Sequence, residues 1–427
     1  MEAFVLCDAK FGAGPIQAVI DYLIVEKRYR IVGAALIGKE LPEGFTLEVP
    51  FVSEADAAAA VRRAAETFSA RAVVDATESD LTERFVWANE ALQLGYEVHG
   101  ADFRLWPPAL KGADVPTVTF IGAGAAVGKT AAIVSFIGRL EERKNVAVIV
   151  LDLGGPCYPE VVDTDTPLTA ERLLSLHRDG RRIDGDHYLL AAATNVPAVG
   201  CSFAGTGLTG VPLNSLLGDA FVFAAEAGGD LAVVEGSGRA MPATAGALCF
   251  LVNVKTGPEV LRVFPFAYQL RRADAVIVTG FADEPPAEAL EGLNAEVKAV
   301  NDKASFCYGK IVARAAGTPE FRDALVVTAR PEDARDQLAE YWNGQLAGEV
   351  IASVGAELFP PAAATAKALR RAGGDAGLLL DMAASNIGEW LVWADSWDVP
   401  VRFTYESLEL PEGVFEPLCE AARRTAS

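Results

Sequence analysis

Histidine is nearly missing from this 427-residue sequence: only His99, His177 and His187 occur. So thin a supply excludes a metal centre built on imidazole ligands. Cysteine is also sparse, with six residues scattered from Cys7 to Cys419 and no C-x-x-C pair. That spacing excludes a zinc ribbon and a disulfide framework, and fits free thiols in a reducing cytoplasm. Positive charge is short too. Against 58 Asp and Glu stand 37 Lys and Arg, a net charge of −21, which argues against nucleic acid or an anionic membrane as partner. No uninterrupted apolar run approaches the roughly 20 residues of a membrane-spanning helix. Met1-Glu2 leads to Asp8 without a basic stretch, so the beginning does not read as a secretory leader. The expectation is a cytoplasmic globular protein whose partner is a small molecule.

Apolar sequence is plentiful at 51%, enough for more than one core. Residues 1–112 alternate short apolar runs (Ala3 to Cys7, Arg30 to Ile37, Ala72 to Asp75) with helical spacing (Ile16 to Val25, Glu54 to Thr67, Leu81 to Leu94). This rhythm predicts a Rossmann-like α/β domain with a parallel sheet. Phe11 to Pro15 is not G-x-G-x-x-G, so the turn after its first strand is not read as a dinucleotide site. A linker through Arg104-Leu105-Trp106-Pro107-Pro108 leads into residues 113–345. There, continuous apolar runs at 118–121, 146–151, 231–234, 248–252, 275–278 and 324–327 predict strands buried on both faces. Residues 346–427 are expected to form a small C-terminal α/β domain, with strands at 350–354, 377–380 and 400–403 and helices at 362–371 and 415–424.

The run Ala123-Gly124-Ala125-Ala126-Val127-Gly128-Lys129-Thr130 follows an apolar strand and precedes the helical pattern Ala131 to Leu140. This is the pattern of a phosphate-cradling loop. Small residues let backbone N–H groups close on phosphate oxygens. Lys129 reaches the β- and γ-phosphates, Thr130 holds Mg²⁺, and the helix start adds its positive end. Gly124 through Ala131 are therefore expected to bind nucleotide. ATP is preferred to GTP, because Asn301-Asp302-Lys303 is only a scrambled guanine motif, and the loop Thr328 to Glu332 is placed to touch the base. Glu235 ends the apolar strand Leu231 to Val234, and Asp152 ends the strand after the phosphate-loop helix. Each is a candidate to orient Mg²⁺ or its waters.

Three further segments invite a substrate. Leu153-Gly154-Gly155-Pro156 is a rigid turn, either a substrate loop or only a connection. Arg172, Arg178, Arg181 and Arg182 cluster near His177 and His187 in an acidic protein, which points to an anion held by guanidinium forks. Gly200 to Gly210 is a second glycine-rich loop that can nest an anion on its backbone. Within it, Cys201 lacks a neighbouring base and reads as a packing thiol.

The stretches AGAAVGKT, LGGPCYPEV, RDGRRIDGDHYL, VGCSFAGTGLTGVP and VVEGSG, in this order, resemble the cyclic 2,3-diphosphoglycerate synthetases over about Val118 to Val254. VVEGSG also resembles dethiobiotin synthetase. The resemblance implies a P-loop enzyme that uses ATP to close 2,3-diphosphoglycerate into an internal phosphoanhydride, releasing ADP and phosphate. It implies Lys129, Glu235 and Arg181 as catalytic groups. Gly154, Gly155, Pro156, Arg178, Arg181, Asp186, His187 and Gly200 are the expected substrate residues, with Thr130, Glu235 and Asp152 at the metal. A homodimer is compatible with this reading. The chain departs from the family pattern at Ala125-Ala126, Leu153 and Ser202-Phe203, where basic residues are usual, and at Cys7 to Phe11, where Asp-Gly-Glu-His-Tyr is usual. The alternatives are a ligase or kinase for a less anionic acid, a nucleotide-switch or metal-insertion partner protein, and a non-catalytic nucleotide sensor.

Overall fold

Aliphatic runs too short for helices and buried on both faces can satisfy their backbone only in sheets with covered faces. The computed structural model is built on two such sheets. It describes residues 1–38, 41, 43–107, 115–140, 145–153, 155–206, 210–238, 240–242, 244, 246–262, 265–330 and 332–425. The chain divides into two compact units.

The first unit comprises residues 1–110 with 257–272 and 299–301. Its six-stranded sheet runs Phe51–Glu54, Arg30–Ile37, Glu2–Asp8, Ala72–Ala76, Glu97–His99, Arg104–Leu105. The first five strands are parallel and the last is antiparallel. Asp56 and Asp80 each accept from an amide three residues on, capping helices Ala57–Thr67 and Leu81–Gln93. Buried Glu90 pairs with both Arg62 and Arg271, which ties the 257–272 segment into this unit. Arg104 and Leu105, expected in a linker, form the edge strand. Residues 108–114, which follow it, lie outside the described residues.

The second unit holds a 13-stranded sheet. Its path is Pro212–Ser215, Ala198–Thr206, Val146–Leu153, Leu231–Gly236, Thr117–Gly122, Ala247–Asn253, Ala275–Gly280, Ser305–Ala315, Val401–Glu409, Ala376–Asp381, Asp323–Thr328, Val350–Gly355. Glu160–Val162 pairs on Ala198–Thr206. The strand Thr117–Gly122 lies in the middle and is buried along its length. Helix Lys129–Arg139 packs Phe136 against Phe120 and Phe415, with ring centroids 5.6 and 5.2 Å apart. Ser135 Oγ donates to the Leu408 carbonyl at 3.1 Å and accepts from the Leu408 amide at 2.6 Å.

Residues 346–427 thus continue the sheet begun by 113–345, and the break expected at 345/346 falls between strands of one layer. Further elements of this sheet differ from the sequence reading. Ser305–Ala315 is an unforeseen eleven-residue strand. Gly200 to Thr206, expected as an anion-nesting loop, belongs to the strand Ala198–Thr206, while 207–209 lie outside the described residues.

Candidate active site

The phosphate loop is shaped by its neighbours as well as by its own small residues. Gly128 sits at φ +81° just before the helix, a conformation that L side chains resist. A Cβ there would also come within 3.1 Å of the Thr279 methyl. Ala126 adopts φ +54° without being glycine. Thr279, fully buried, donates to the Val127 carbonyl at 3.0 Å and fastens the loop to the end of strand Ala275–Gly280. The Ala123 amide donates to the Leu251 carbonyl at 2.9 Å.

Lys129 opens the helix and is 6% exposed. Its ammonium donates to the Gly124 carbonyl at 2.9 Å and lies 3.5 Å from that of Gly238. Burial lowers its pKa, and the nearby Glu235 and Asp186 carboxylates oppose that shift. Thr130 Oγ1 donates to Glu235 Oε1 at 2.9 Å. Glu235 is 3% exposed, and its Oε2 is buried without a hydrogen-bond partner. Burial, reinforced by Asp186, pushes its carboxyl up to about 8. Asp186, the first residue of helix Asp186–Thr194, is raised for the same reason, with Asp152 adding to the repulsion. Two carboxylates thus share one ammonium in a desolvated space, and Asp152 adds repulsion from outside it.

Ala125, Ala126, Gly128, Lys129, Thr130, Ala131, Asp186 and Glu235 line one cavity of about 410 Å³, within the size range of small-molecule sites. Gly124 contributes its carbonyl to Lys129, and Val127 is buried behind the loop. Asp152 acts on the cluster electrostatically but does not line the cavity. Among the described residues no three His, Cys, Asp or Glu side chains are arranged to hold a metal ion.

The arginines expected to gather an anion are spread over separate ion pairs. Arg172 meets Asp163 at 3.2 Å, Arg178 meets Asp395 at 2.6 Å, Arg181 meets Glu160 at 2.7 Å and Arg182 meets Asp184 at 3.3 Å. Arg181 and Arg182 border a different cavity, of about 260 Å³, with His177 and Glu389. Glu160 also accepts from Tyr188 at 2.9 Å and lies 3.4 Å from His187 Nε2. Led by His187, these partners hold its carboxyl down at about 2. His187 is buried against Gly200, where a Cβ would stand 2.6 Å from the ring. Gly200 therefore gives room for an imidazole. Gly155 donates to the Asp152 carbonyl at 3.4 Å and closes on the Cys201 backbone, Pro156 is half-buried, and Gly154 lies outside the described residues. Burial pushes the Cys201 thiol up to about 12, as suits a packing group.

The far wall of the phosphate-loop cavity comes from Phe281, Ile311, Ala329, Arg330, Asp381, Ala383 and Glu406. Of the loop Thr328 to Glu332, expected to touch the base, Ala329 and Arg330 line this cavity. Asp381 ends an apolar strand as Glu235 does, the signal by which sequence alone could have found it. Glu406 lies mid-strand, and no sequence signal marks it.

A buried lysine and a half-buried threonine at a helix start, facing an acid at the end of the adjacent strand, define a P-loop nucleotide-binding protein of α/β class. Residues 117–308 match the family profile described as the P-loop domain of cyclic 2,3-diphosphoglycerate synthetase. The cyclic 2,3-diphosphoglycerate synthetase of Rubrobacter xylanophilus is 30% identical over 336 residues, 76% of this chain and 76% of its own length. That of Pyrococcus abyssi is 28% identical over 75% of both chains. That of Pyrococcus furiosus is 31% identical over 59% of this chain, a match spanning 58% of that relative. The chain belongs to the cyclic 2,3-diphosphoglycerate synthetase family.

Proposed function

We propose that this protein uses ATP and Mg²⁺ to close 2,3-diphosphoglycerate into its cyclic phosphoanhydride, releasing ADP and phosphate. The observation that carries the reading is the desolvated Lys129–Thr130–Glu235 cluster at the phosphate loop of a member of this family. In the proposed chemistry a substrate phosphate oxygen attacks the γ-phosphorus and the bond to the ADP oxygen breaks. An oxygen of the second substrate phosphate then attacks the activated phosphorus, forming the ring P–O–P bond and expelling inorganic phosphate. Lys129 neutralises charge between the β- and γ-phosphates, and the loop amides hold oxygens in line.

Thr130 and Glu235 fit a magnesium ion. The orphaned Glu235 Oε2 is an oxygen awaiting a cation, and one carboxylate plus a hydroxyl, phosphates and water suits this ion better than a cage of acids. Bound there, Mg²⁺ would supply electrostatic stabilisation of the transferring phosphoryl group. Asp152 fits an outer role, through water or through its field on Asp186. The start of helix Asp186–Thr194 borders the cavity and brings the acceptor close to it. Arg178, Arg181 and His187 would serve the substrate by exchanging their present carboxylate partners for its phosphates, and Gly155 by turning its amide from the Asp152 carbonyl toward them.

A second reading, a kinase or ligase for a less anionic acid, draws support from the four arginine pairs above, because each cation is already partnered. Lys129→Ala should lower ADP release by roughly 10²-fold or more. Full turnover by that variant would refute both readings. An assay of ADP release with 2,3-diphosphoglycerate against simpler phosphorylated or carboxylated acids separates them.

A further inference from the structure

We propose that the Phe281–Arg330 wall is the nucleobase seat of this cavity, set by Asp381 and Glu406 from the C-terminal segment. The inference rests on the nucleotide reading above, narrows its base-contacting loop Thr328 to Glu332 to Arg330, and adds Phe281, Asp381 and Glu406, to which that reading gives no role. Three of the four (Arg330, Asp381 and Glu406) lie outside the stretch 117–308 matched by the family profile.

The cavity has two chemically different sides around the phosphate loop. One carries Asp186, Glu235 and the Ser237-Gly238 backbone, a polar and negatively charged surface suited to a cation and phosphoryl groups. The other carries Phe281, Ile311, Ala329 and Ala383, an apolar surface suited to a flat aromatic ring. With the triphosphate held at the loop, a purine can shed water only on the second side.

That side is also built to a fixed distance. Thr279, bonded to the Val127 carbonyl at 3.0 Å, is two residues from Phe281, so the platform and the phosphate loop are joined through one short stretch of backbone. The Arg330 guanidinium lies 4.1 Å from the Phe281 ring centroid and covers one face. Phe281 remains 37% exposed. Arg330 Nε donates to Glu406 Oε1 at 2.8 Å, while its Nη2 is buried without a partner. Asp381 fixes the loop beneath it: Oδ2 accepts from Thr328 Oγ1 at 3.1 Å and the Ala329 amide at 3.0 Å, and Oδ1 accepts from the Ala383 amide at 3.0 Å. Asp381 is therefore a positioning residue, whereas Phe281 and Arg330 would touch the base.

Isothermal titration of the full chain with Mg²⁺ and either ATP or inorganic tripolyphosphate tests this, because the second probe has the phosphates and lacks the base. Base stacking on an aromatic ring implies that Phe281→Ala weakens ATP by roughly tenfold while tripolyphosphate stays within about twofold. Phe281→Tyr should restore ATP binding, and Arg330→Met should weaken ATP selectively. Unchanged melting temperatures confirm that the variants fold. Loss of both probes by the same factor, or unchanged ATP affinity in Phe281→Ala, would overturn the seat. If the wild-type chain binds both probes but does not cyclise 2,3-diphosphoglycerate, the proposed reaction fails and the seat stands. If it binds neither probe, both fail.

Discussion

At the scale of single residues, the site is governed by charge placed where water is scarce. Glu235, Asp186 and Asp152 repel one another, and Lys129 offsets only part of that repulsion. The folded protein therefore holds a proton on Glu235 that the unfolded chain, with an ordinary value near 4.5, gives up. Between that value and about 8 the folded state binds more protons than the unfolded one, so this residue makes stability fall as pH rises. Glu235→Gln removes the effect. In the absence of nucleotide, the melting temperature of the wild-type protein should drop relative to the variant from pH 5 to pH 8. An equal pH slope in both proteins would contradict the assignment. On the proposed magnesium role the same variant should also lose turnover, because a neutral amide is a poorer ligand for that ion.

At the scale of elements, what one strand permits is set by the helix beside it. Gly200 is spaced like a member of a glycine-rich anion loop, yet it lies in a strand paired with Val150 and meets the His187 ring. Gly200→Ala forces that ring away from Glu160 and costs about 1–3 kcal/mol by overpacking, readable as a lower denaturation midpoint. A midpoint equal to that of the unaltered chain would show that the ring has space to yield. The phosphate loop was readable because its function depends on backbone N–H groups, small residues and one lysine in fixed order. The separate ion pairs of Arg172, Arg178, Arg181 and Arg182 were not, since closeness along a chain does not say which carboxylates fold up against each guanidinium. Arg178 finds Asp395 across 217 positions.

At the scale of the whole molecule, the last 80 or so residues are structural partners of the nucleotide-binding strands. Asp323–Thr328 has as its two sheet neighbours Ala376–Asp381 and Val350–Gly355. A chain ending at Gln345 keeps the first strand and removes both neighbours, together with buried Trp390 and Leu418. It should lose cooperative unfolding and aggregate through unpaired strand edges. Size-exclusion chromatography and near-ultraviolet circular dichroism report this, and a soluble monomer with sharp melting would show that 346–427 is dispensable.

The sequence by itself determined the α/β class, most strands, the phosphate loop with Lys129 and Thr130, and the acid at Glu235. Each of these is set by local order: apolar runs that demand a sheet, small residues that bare amides, and an acid at a strand's end. Only the tertiary structure decided that Asp186 joins that cluster, that four arginines are committed to separate carboxylates, from Asp184 two positions away to Asp395 across 217, and that Phe281, Arg330, Asp381 and Glu406 line the phosphate-loop cavity. Those relations depend on which strands lie side by side, and strand order arises from packing across hundreds of residues.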